Sequence, residues 1–409
     1  MDRFKKNWIL GLIITSYLGV AVSYSKLYSV HFFLLFSPVF LLPDFIKNLR
    51  NYSQRFWPLV FWFCYLVCSS LWALNVKNAI NYSAMALMGL IVTISVGLYS
   101  ERRVLGKNFF YLTIFALGLG LIECFSSFRY PISKYSTIAH YFGKTVLDSD
   151  ISEPYAASFF WTANNFCYVL LLTIPFAQLL KKRWMEILLI LLTSFFCMKL
   201  SSRWVFSTLI IYVLYRLFFI LKETQFRRNI ILTGLIGVIF FSIISISLIN
   251  HDNILELKSI LNLPQQQIRL YSAILNDEDI SLFYHTRRDE MFYQTVKLWK
   301  QSPFLGVGAG QLTGVIVPYR GKMLDISTPH HYWAEILAYG GLVLFLVIFY
   351  WMFSRAKILY QKKNLESRAA LESLVLFIIV APVCSTLVYF FPTWLFLGVI
   401  ENLSEEKTV

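Results

Sequence analysis

Charged residues are scarce in this sequence, and their scarcity excludes an ordinary soluble protein. Only 15% of the 409 residues are Asp, Glu, Lys or Arg, whereas 57% are hydrophobic and 18% aromatic. The mean hydropathy is +0.59. A soluble protein of this size carries far more charge, because its surface must be hydrated. The apolar residues also form blocks of roughly 17–23 residues, about the length that a helix needs to cross a bilayer core. The sequence therefore predicts a polytopic membrane protein.

The sequence also lacks the cysteine patterns of a disulfide framework or a zinc site. All six cysteines lie within or at the edge of apolar blocks, and none forms a metal-type pair in a polar loop. We interpret them as small apolar residues of helices, and we expect neither a metal nor a cofactor. They are Cys64, Cys68, Cys124, Cys167, Cys197 and Cys384.

Twelve apolar blocks predict an all-α fold of about twelve transmembrane helices. The first block follows "MDRFKKNW" and is interpreted as a retained signal anchor, because many further blocks come after it. The predicted spans are 7–24, 28–44, 56–74, 79–98, 108–126, 157–180, 184–200, 203–221, 229–249, 331–353, 370–386 and 390–401. The chain is thus divided into helices 1–9 (residues 1–249), a large polar loop (250–330), and helices 10–12 with a tail (331–409).

The net charge of +14 is concentrated in short loops, a pattern that predicts membrane orientation and not a nucleic-acid partner. Six loops carry at least three Lys or Arg each: "MDRFKK", "KNLRNYSQR", "ERRVLGK", "KKR", "KETQFRR" and "SRAKILYQKKNLESR". The short loops between them carry one or none. By the positive-inside rule, both termini are predicted to be cytoplasmic. The loops near 127–156 and 250–330 are then external.

The 250–330 loop ends in a predicted helix, a glycine turn and two histidines. "RRDEMFYQTVKLWKQ" has helical spacing and predicts a helix that lies on the membrane surface or caps the bundle. Its apolar face would comprise Met291, Phe292, Thr295, Val296, Leu298 and Trp299. Pro303 is expected to end this helix, and "GVGAG" (306–310) to form a tight turn. No strand precedes these glycines and no βαβ unit surrounds them, so they do not indicate a nucleotide loop. His330 and His331 follow at the external start of the tenth span.

These features resemble the O-antigen ligase and O-antigen polymerase superfamily of bacterial envelope glycosyltransferases. That family has a His, usually followed by Asn, then nine residues and Gly-x-x-Gly, at the start of a span after a large periplasmic loop. Here His330 takes the His position, His331 the usual Asn position and Gly341 that of the first Gly. Leu344 replaces the final Gly.

Three further features match the family more loosely, and the resemblance covers mainly residues 157–350. The family has an Arg that opens a short helix leading into a Pro-containing GxG turn, and Arg288 takes this position ahead of "SPFLGVGAG". A Ser-Arg at the outer start of a span is matched by "LSSRWVF", which contains Arg203. An Asn at the start of another span is matched in "WTANNFCYVLLL" by Asn164 or Asn165.

The resemblance implies a GT-C-like transferase whose active site faces the periplasm at the bacterial inner membrane. His330 would take the proton of an acceptor hydroxyl, since histidine titrates near neutral pH. Arg203 and Arg288 would hold the diphosphate of an undecaprenyl-diphosphate-linked glycan, because guanidinium groups stay protonated and grip phosphate oxygens without a metal. Arg320, close before the histidines, is a further candidate for the diphosphate. His331, Glu335, Asn164 and Asn165 would support the site.

Each candidate residue also has a structural interpretation. His330 could hydrogen-bond a loop carbonyl at the interface, and Arg203 could anchor a short turn between spans. Glu335 lies inside the tenth span, where a charge is costly unless it is paired or hydrated. It could orient the ring of His331 by an i,i+4 contact, or it could neutralise an arginine.

Three functions are therefore open at this point. A ligase would move a polysaccharide from undecaprenyl diphosphate to a sugar of the lipid A–core. A polymerase would use the same donor with a second lipid-linked glycan as acceptor. A flippase for lipid-linked oligosaccharides would have inverted repeats, broken helices and charges near the bilayer midplane. One large late external loop favours the ligase, and charges gathered at one face disfavour the flippase.

Overall fold

The computed structural model describes residues 2–19, 23–24, 27–28, 29–47, 49–99, 102–126, 158, 160, 162–200, 202–223, 287–312, 316–319, 322–325, 331–383 and 387–405. Within these residues, twelve α-helices make up most of the structure. They are α1 (Asp2–Leu18), α2 (Ser29–Lys47), α3 (Leu49–Cys68), α4 (Val76–Gly97), α5 (Arg102–Phe125), α6 (Ala163–Thr173), α7 (Arg183–Lys199), α8 (Arg203–Glu223), α9 (Arg287–Trp299), α10 (Tyr332–Lys362), α11 (Leu365–Val380) and α12 (Phe391–Ser404).

Two short antiparallel hairpins interrupt the helices. The first pairs β1 (Ser23–Tyr24) with β2 (Leu27–Tyr28). The second pairs β3 (Ile316–Tyr319) with β4 (Lys322–Asp325), and Ile316 lies opposite Asp325. The sequence analysis predicted neither hairpin, because strands this short have no hydrophobic alternation long enough to be read. Apart from these two ribbons, the regular structure of the described residues is helical.

Four helical segments among the described residues are long and apolar enough to cross a membrane. They are Val76–Gly97, Val104–Phe125, Ala163–Leu180 and Tyr332–Lys362. They coincide with the predicted spans 79–98, 108–126, 157–180 and 331–353. Seven other predicted spans fall on helices, and 229–249 lies outside the described residues. The helical, membrane-compatible character of the chain is therefore confirmed, whereas the total of about twelve spans stays a prediction.

The chain divides into two compact units, residues 1–189 with 287–409, and residues 190–286. At the centre of the first unit, α12 packs along α4. A Cβ atom added at Gly89 would lie 2.1 Å from the Trp394 indole, and one at Gly398 would lie 2.7 Å from the Val96 Cβ. Small residues thus let the two helices approach closely, as is typical of helices packed in membranes.

The described part of the second unit contains the end of α7 and all of α8. The Ser202 N–H donates to the Cys197 carbonyl over 2.9 Å, which closes the turn between the two helices. Ser202 is buried, and Arg203 begins α8 directly after it.

Candidate functional site

The span α10 is interrupted at a glycine of the family-like motif. Gly341 has φ 62° and ψ −165°, inside what is otherwise a continuous helix. This conformation is essentially restricted to glycine. The chain therefore makes a first helical segment from Tyr332 to Gly340 and a second from Leu342 to Lys362. The sequence analysis predicted a span over 331–353 and did not foresee this break, which follows from the backbone of Gly341.

The glycine turn at 306–310 fills this break. The Val307 N–H donates to the Ala338 carbonyl over 2.8 Å, and the Leu342 N–H donates to the Pro303 carbonyl over 2.9 Å. A helix interrupted in an apolar environment must have its freed N–H and C=O groups satisfied by other groups. Here the turn provides the partner on one side of the break, and Pro303, just before the turn, provides it on the other.

The three glycines of the turn are required by its geometry. Gly306, Gly308 and Gly310 have φ of 70°, 99° and 68°, so the predicted tight turn is confirmed. A Cβ atom at Gly306 would lie 2.4 Å from the Tyr339 carbonyl oxygen, and one at Gly341 would lie 2.2 Å from the Phe304 carbonyl oxygen. The turn and the broken helix therefore contact each other backbone to backbone, where no side chain fits.

The connection between α3 and α4 holds the other side of the turn. The Ser69 hydroxyl accepts a hydrogen bond from the Ala309 N–H over 2.9 Å. The Gln311 amide pairs with the backbone of Asn75: its oxygen accepts from the N–H over 2.8 Å, and its nitrogen donates to the carbonyl over 3.1 Å. The turn is thus fixed between two parts of the bundle, and it is rigid enough to position the elements on either side of it.

His331 is the N-cap of α10. Its Nδ1 accepts a hydrogen bond from the Ala334 N–H over 3.2 Å, and its ring packs against Phe292 with 4.8 Å between ring centroids. Because Nδ1 accepts a hydrogen bond, the neutral ring carries its proton on Nε2. Burial lowers the pKa of His331 below its usual range. The imidazole therefore serves the helix start in its neutral form.

The sequence analysis matched His331 to a position where Asn is usual, and capping is a role that either residue type can play. Asn is among the best N-cap residues, because its side-chain oxygen accepts a hydrogen bond from an N–H of the first turn. His331 makes the equivalent bond with Nδ1.

Glu335 is fully buried one turn below the cap. Its Oε1 accepts a hydrogen bond from the Tyr82 hydroxyl over 2.9 Å. The Tyr82 ring packs edge-on against Tyr339, with 4.9 Å between centroids, and against Tyr389, with 5.9 Å. Glu335 thus ties α10 to α4. The ring of His331 is oriented by the backbone of Ala334, and the predicted i,i+4 contact with Glu335 is not needed to hold it.

The helix α9, which begins with Arg287 and Arg288, packs against α10. Its predicted apolar face is confirmed at Met291 and Thr295, which are buried, while Phe292 is 42% exposed and reaches the His331 ring. The backbone of Arg288 therefore lies in the first turn of a helix that contacts the start of α10. The side chain of Arg288 lies outside what the structure describes.

Of the remaining predicted site residues, His330 and Arg320 lie outside the described residues, and the other three lie within them. Arg203 is exposed and is the first residue of α8 in the second unit. Asn164 and Asn165 lie in the first turn of α6, where the Thr162 hydroxyl caps the helix by accepting from the Asn165 N–H over 3.2 Å.

Sequence reasoning missed Tyr82, Ser69 and Gln311, which hold the candidate site together. Gln311 follows the glycine turn directly, but its partner Asn75 is 236 residues away in the chain. Tyr82 and Glu335 are separated by 253 residues. A single sequence has no local signal for such pairs. Within the described residues, no group of three or more His, Cys, Asp or Glu could hold a metal ion.

Comparison with protein-family models found no match, and comparison with curated proteins found none either.

Proposed function

We propose that the chain is a membrane glycosyltransferase of the O-antigen ligase type. It moves a polysaccharide from undecaprenyl diphosphate to a sugar of the lipid A–core, at the periplasmic face of the bacterial inner membrane and without a metal. The observation that carries this proposal is the use of His331 as a helix cap. The Nδ1 of His331 is occupied by the Ala334 N–H, which supports His330, the residue that the resemblance assigns to proton transfer, as the base.

The reaction requires one nucleophile, one base and a stabilised leaving group. The acceptor hydroxyl oxygen forms a bond to the anomeric carbon of the donor sugar, and the bond from that carbon to the diphosphate oxygen breaks. His330 takes the hydroxyl proton, and the electron pair of the broken bond leaves with undecaprenyl diphosphate. His331 is a poor base for this step, because moving its proton to Nδ1 would remove the cap from α10.

Arginine side chains would stabilise the charge that develops on the diphosphate. Arg288 is the first choice, because α9 is held against α10 by the Phe292–His331 contact and by the glycine turn that follows it. A rigid link between the two helix starts is what positioning of an arginine beside a base requires. The resemblance to the family also assigns Arg203 and Arg320 to diphosphate binding, for which guanidinium groups are suited.

The polymerase remains the alternative, since it needs the same donor and the same leaving-group chemistry. Its acceptor would be a second lipid-linked glycan. The sequence has one large external loop, late in the chain. This favours the ligase, because an acceptor of the lipid A–core type must be admitted from one side.

Transporters also contain interrupted helices, which bind substrate near the bilayer midplane. In those proteins the freed backbone groups face a cavity. Here the Ala338 and Tyr339 carbonyls are hydrogen-bonded to the glycine turn, and the Leu342 N–H to Pro303 just before it. The break therefore serves to dock the external loop, which favours a transferase over a flippase.

Reconstitution tests the proposal. Purified protein in liposomes would be given an undecaprenyl-diphosphate-linked polysaccharide and lipid A–core, and the products would be separated on a gel. We expect polysaccharide-capped lipid A–core and free undecaprenyl diphosphate. Lengthening of the lipid-linked glycan without capping would identify the polymerase. Movement of unmodified donor across the bilayer with neither product would reject both transferases.

A further inference from the structure

Two large apolar side chains are exposed directly before the glycine turn. Phe304 is 68% exposed and Leu305 is 52% exposed, whereas Gly306, Gly308 and Gly310 are buried against the bundle. Exposure of the side chains does not by itself show whether water or lipid surrounds them. The hydrogen bonds of the neighbouring backbone distinguish the two, because water satisfies exposed backbone groups and hydrocarbon does not.

The second segment of α10 satisfies the first two carbonyls of this stretch. The Pro303 carbonyl accepts a hydrogen bond from the Leu342 N–H over 2.9 Å, and the Phe304 carbonyl accepts one from the Val343 N–H over 3.3 Å. These bonds also fix the level of the stretch along the helix. Phe304 lies beside the residues that follow the break in a candidate membrane span.

Aromatic side chains satisfy the next two carbonyls. The Tyr65 hydroxyl of α3 donates to the Leu305 carbonyl over 2.8 Å, and the Trp72 indole N–H donates to the Gly306 carbonyl over 3.1 Å. Four successive carbonyls of an irregular stretch are therefore paired within the protein, although the side chains beside them are exposed. Irregular backbone at membrane depth requires such pairing, and Tyr and Trp are the residues enriched at the edges of a bilayer.

The exposed side chains continue an apolar stripe on α10. Four residues of its second segment, spaced four, four and three apart, share one helix face and are between 36% and 72% exposed. They are Leu342, Leu346, Tyr350 and Phe353. Such a face on a spanning helix contacts hydrocarbon. Leu342 adjoins Pro303 through the backbone hydrogen bond, so Phe304 and Leu305 extend this face without interruption.

The length of α10 places this stretch inside the hydrocarbon layer. Lys357 is the first exposed charged residue after the break and lies fifteen residues beyond Leu342, a rise of about 22 Å along the helix. A bilayer core is about 30 Å thick, so a core that begins at Lys357 extends about 8 Å past Leu342. The level of Phe304 is therefore within the core.

We propose that residues 303–310 form a re-entrant element of the membrane domain, and that Phe304 and Leu305 contact phospholipid acyl chains of the leaflet around the start of α10. The proposal goes beyond the proposed function and does not depend on the reaction. It also places the helix before this element, α9, at the membrane surface. The candidate site is thus anchored in lipid and not only in the helical bundle.

Spin labelling measures what surrounds the two side chains. A nitroxide would be attached through p-acetylphenylalanine, which leaves the six native cysteines unlabelled. Separate full-length proteins would carry it at Phe304, Leu305, Leu346 or Gln361, in nanodiscs of phosphatidylethanolamine and phosphatidylglycerol. Leu346 is the matched lipid control, and Gln361, exposed beyond Lys357, is the water control. Collisions with dissolved oxygen report hydrocarbon, and collisions with a nickel chelate report water.

We expect the ratio of oxygen to nickel collisions at Phe304 and Leu305 to resemble that at Leu346. It should exceed the ratio at Gln361 by about tenfold or more, because a polar chelate partitions poorly into hydrocarbon. Ratios like that at Gln361 would place the element in water and overturn the proposal. Few collisions with either reagent would also overturn it. Dipolar broadening would then identify a second copy of the chain as the cover, and its absence another part of the same chain.

Discussion

The two ends of α10 are held in different ways. Near its end, Glu401 of α12 is fully buried and pairs with Arg55 over 3.0 Å and with Arg355 over 3.3 Å, while Trp351 donates a hydrogen bond to the same carboxylate. Near its start, α10 is held by hydrogen bonds to the backbone of the glycine turn and by the His331 cap. The end of α10 is therefore held by buried ion pairs, and its start is held mainly by backbone hydrogen bonds.

This contrast predicts different sensitivities at the two ends. A buried ion pair is costly to break, because the remaining partner keeps its charge without compensation. Where two backbone segments pack directly against each other, a nearby change of charge is tolerated, but an added side chain has no space. The charges near the end of α10 are therefore committed to the fold.

The largest effect is expected from Glu401→Gln, which leaves Arg55 and Arg355 buried with no carboxylate between them. We expect the free energy of unfolding to fall by about 3–5 kcal/mol. Unfolding of the purified protein by SDS in mixed micelles measures this loss. The matched control is Glu405→Gln: Glu405 is 33% exposed and lies 3.3 Å from the same Arg55, and its loss should cost at most about 1 kcal/mol. Equal losses for the two variants would contradict the comparison.

The next largest effect is expected at the backbone joint. Gly341→Ala places a Cβ atom 2.2 Å from the Phe304 carbonyl oxygen, in a conformation that alanine rarely adopts. We expect a loss of about 3 kcal/mol in the same unfolding measurement. Gly118→Ala is the control, since nothing lies within 4 Å of its added Cβ and alanine favours a helix over glycine. An unchanged stability for Gly341→Ala would mean that the break in α10 is not required.

A smaller effect is expected where a single hydrogen bond joins α10 to α4. Tyr82→Phe removes the hydroxyl that donates to Glu335 and should cost about 2 kcal/mol, because a buried carboxylate loses a partner. In the background of Glu335→Gln, the same change should cost about half as much. The double-mutant cycle gives their coupling energy. Strict additivity of the two changes would show that the bond does not contribute.

The smallest effect depends on pH. Burial lowers the pKa of His331 in the folded protein, whereas an unfolded histidine titrates near pKa ~6.5. The stability that the neutral cap contributes is therefore present above about pH 6.5 and is lost as the pH falls through the lowered pKa. Asn caps without titrating, so His331→Asn should match the wild type at pH 8. At pH 5 the variant should be the more stable protein by about 1 kcal/mol. Parallel pH profiles for the two proteins would contradict the capping role.

The parts of the fold that depend on local pattern could be predicted from the sequence. The predicted span 79–98 corresponds to Val76–Gly97, and the predicted helix over "RRDEMFYQTVKLWKQ" corresponds to Arg287–Trp299. The glycine turn was also recognisable, because three glycines at alternate positions suit a chain with positive φ. These features depend only on residues that are close together in the sequence.

The joints between helices could not be predicted, because they unite distant residues. Arg55 and Glu401 are 346 residues apart, and Asn75 is 236 residues from Gln311. Gly341 could be matched to a family motif, but its backbone conformation depends on the turn that docks against it. The sequence alone likewise gave no sign that His331 caps α10 through its Nδ1.

The measurement that tests the central claim most directly is the pair His330→Ala and His331→Asn in the polysaccharide transfer assay, with protein abundance and stability checked for each variant. We expect His330→Ala to lose about 10²–10⁴-fold in rate, the usual contribution of a general base, and to remain as stable as the wild type. We expect His331→Asn to transfer polysaccharide at nearly the wild-type rate. An active His330→Ala with an inactive but folded His331→Asn would contradict the assignment, and would make the capping imidazole the base.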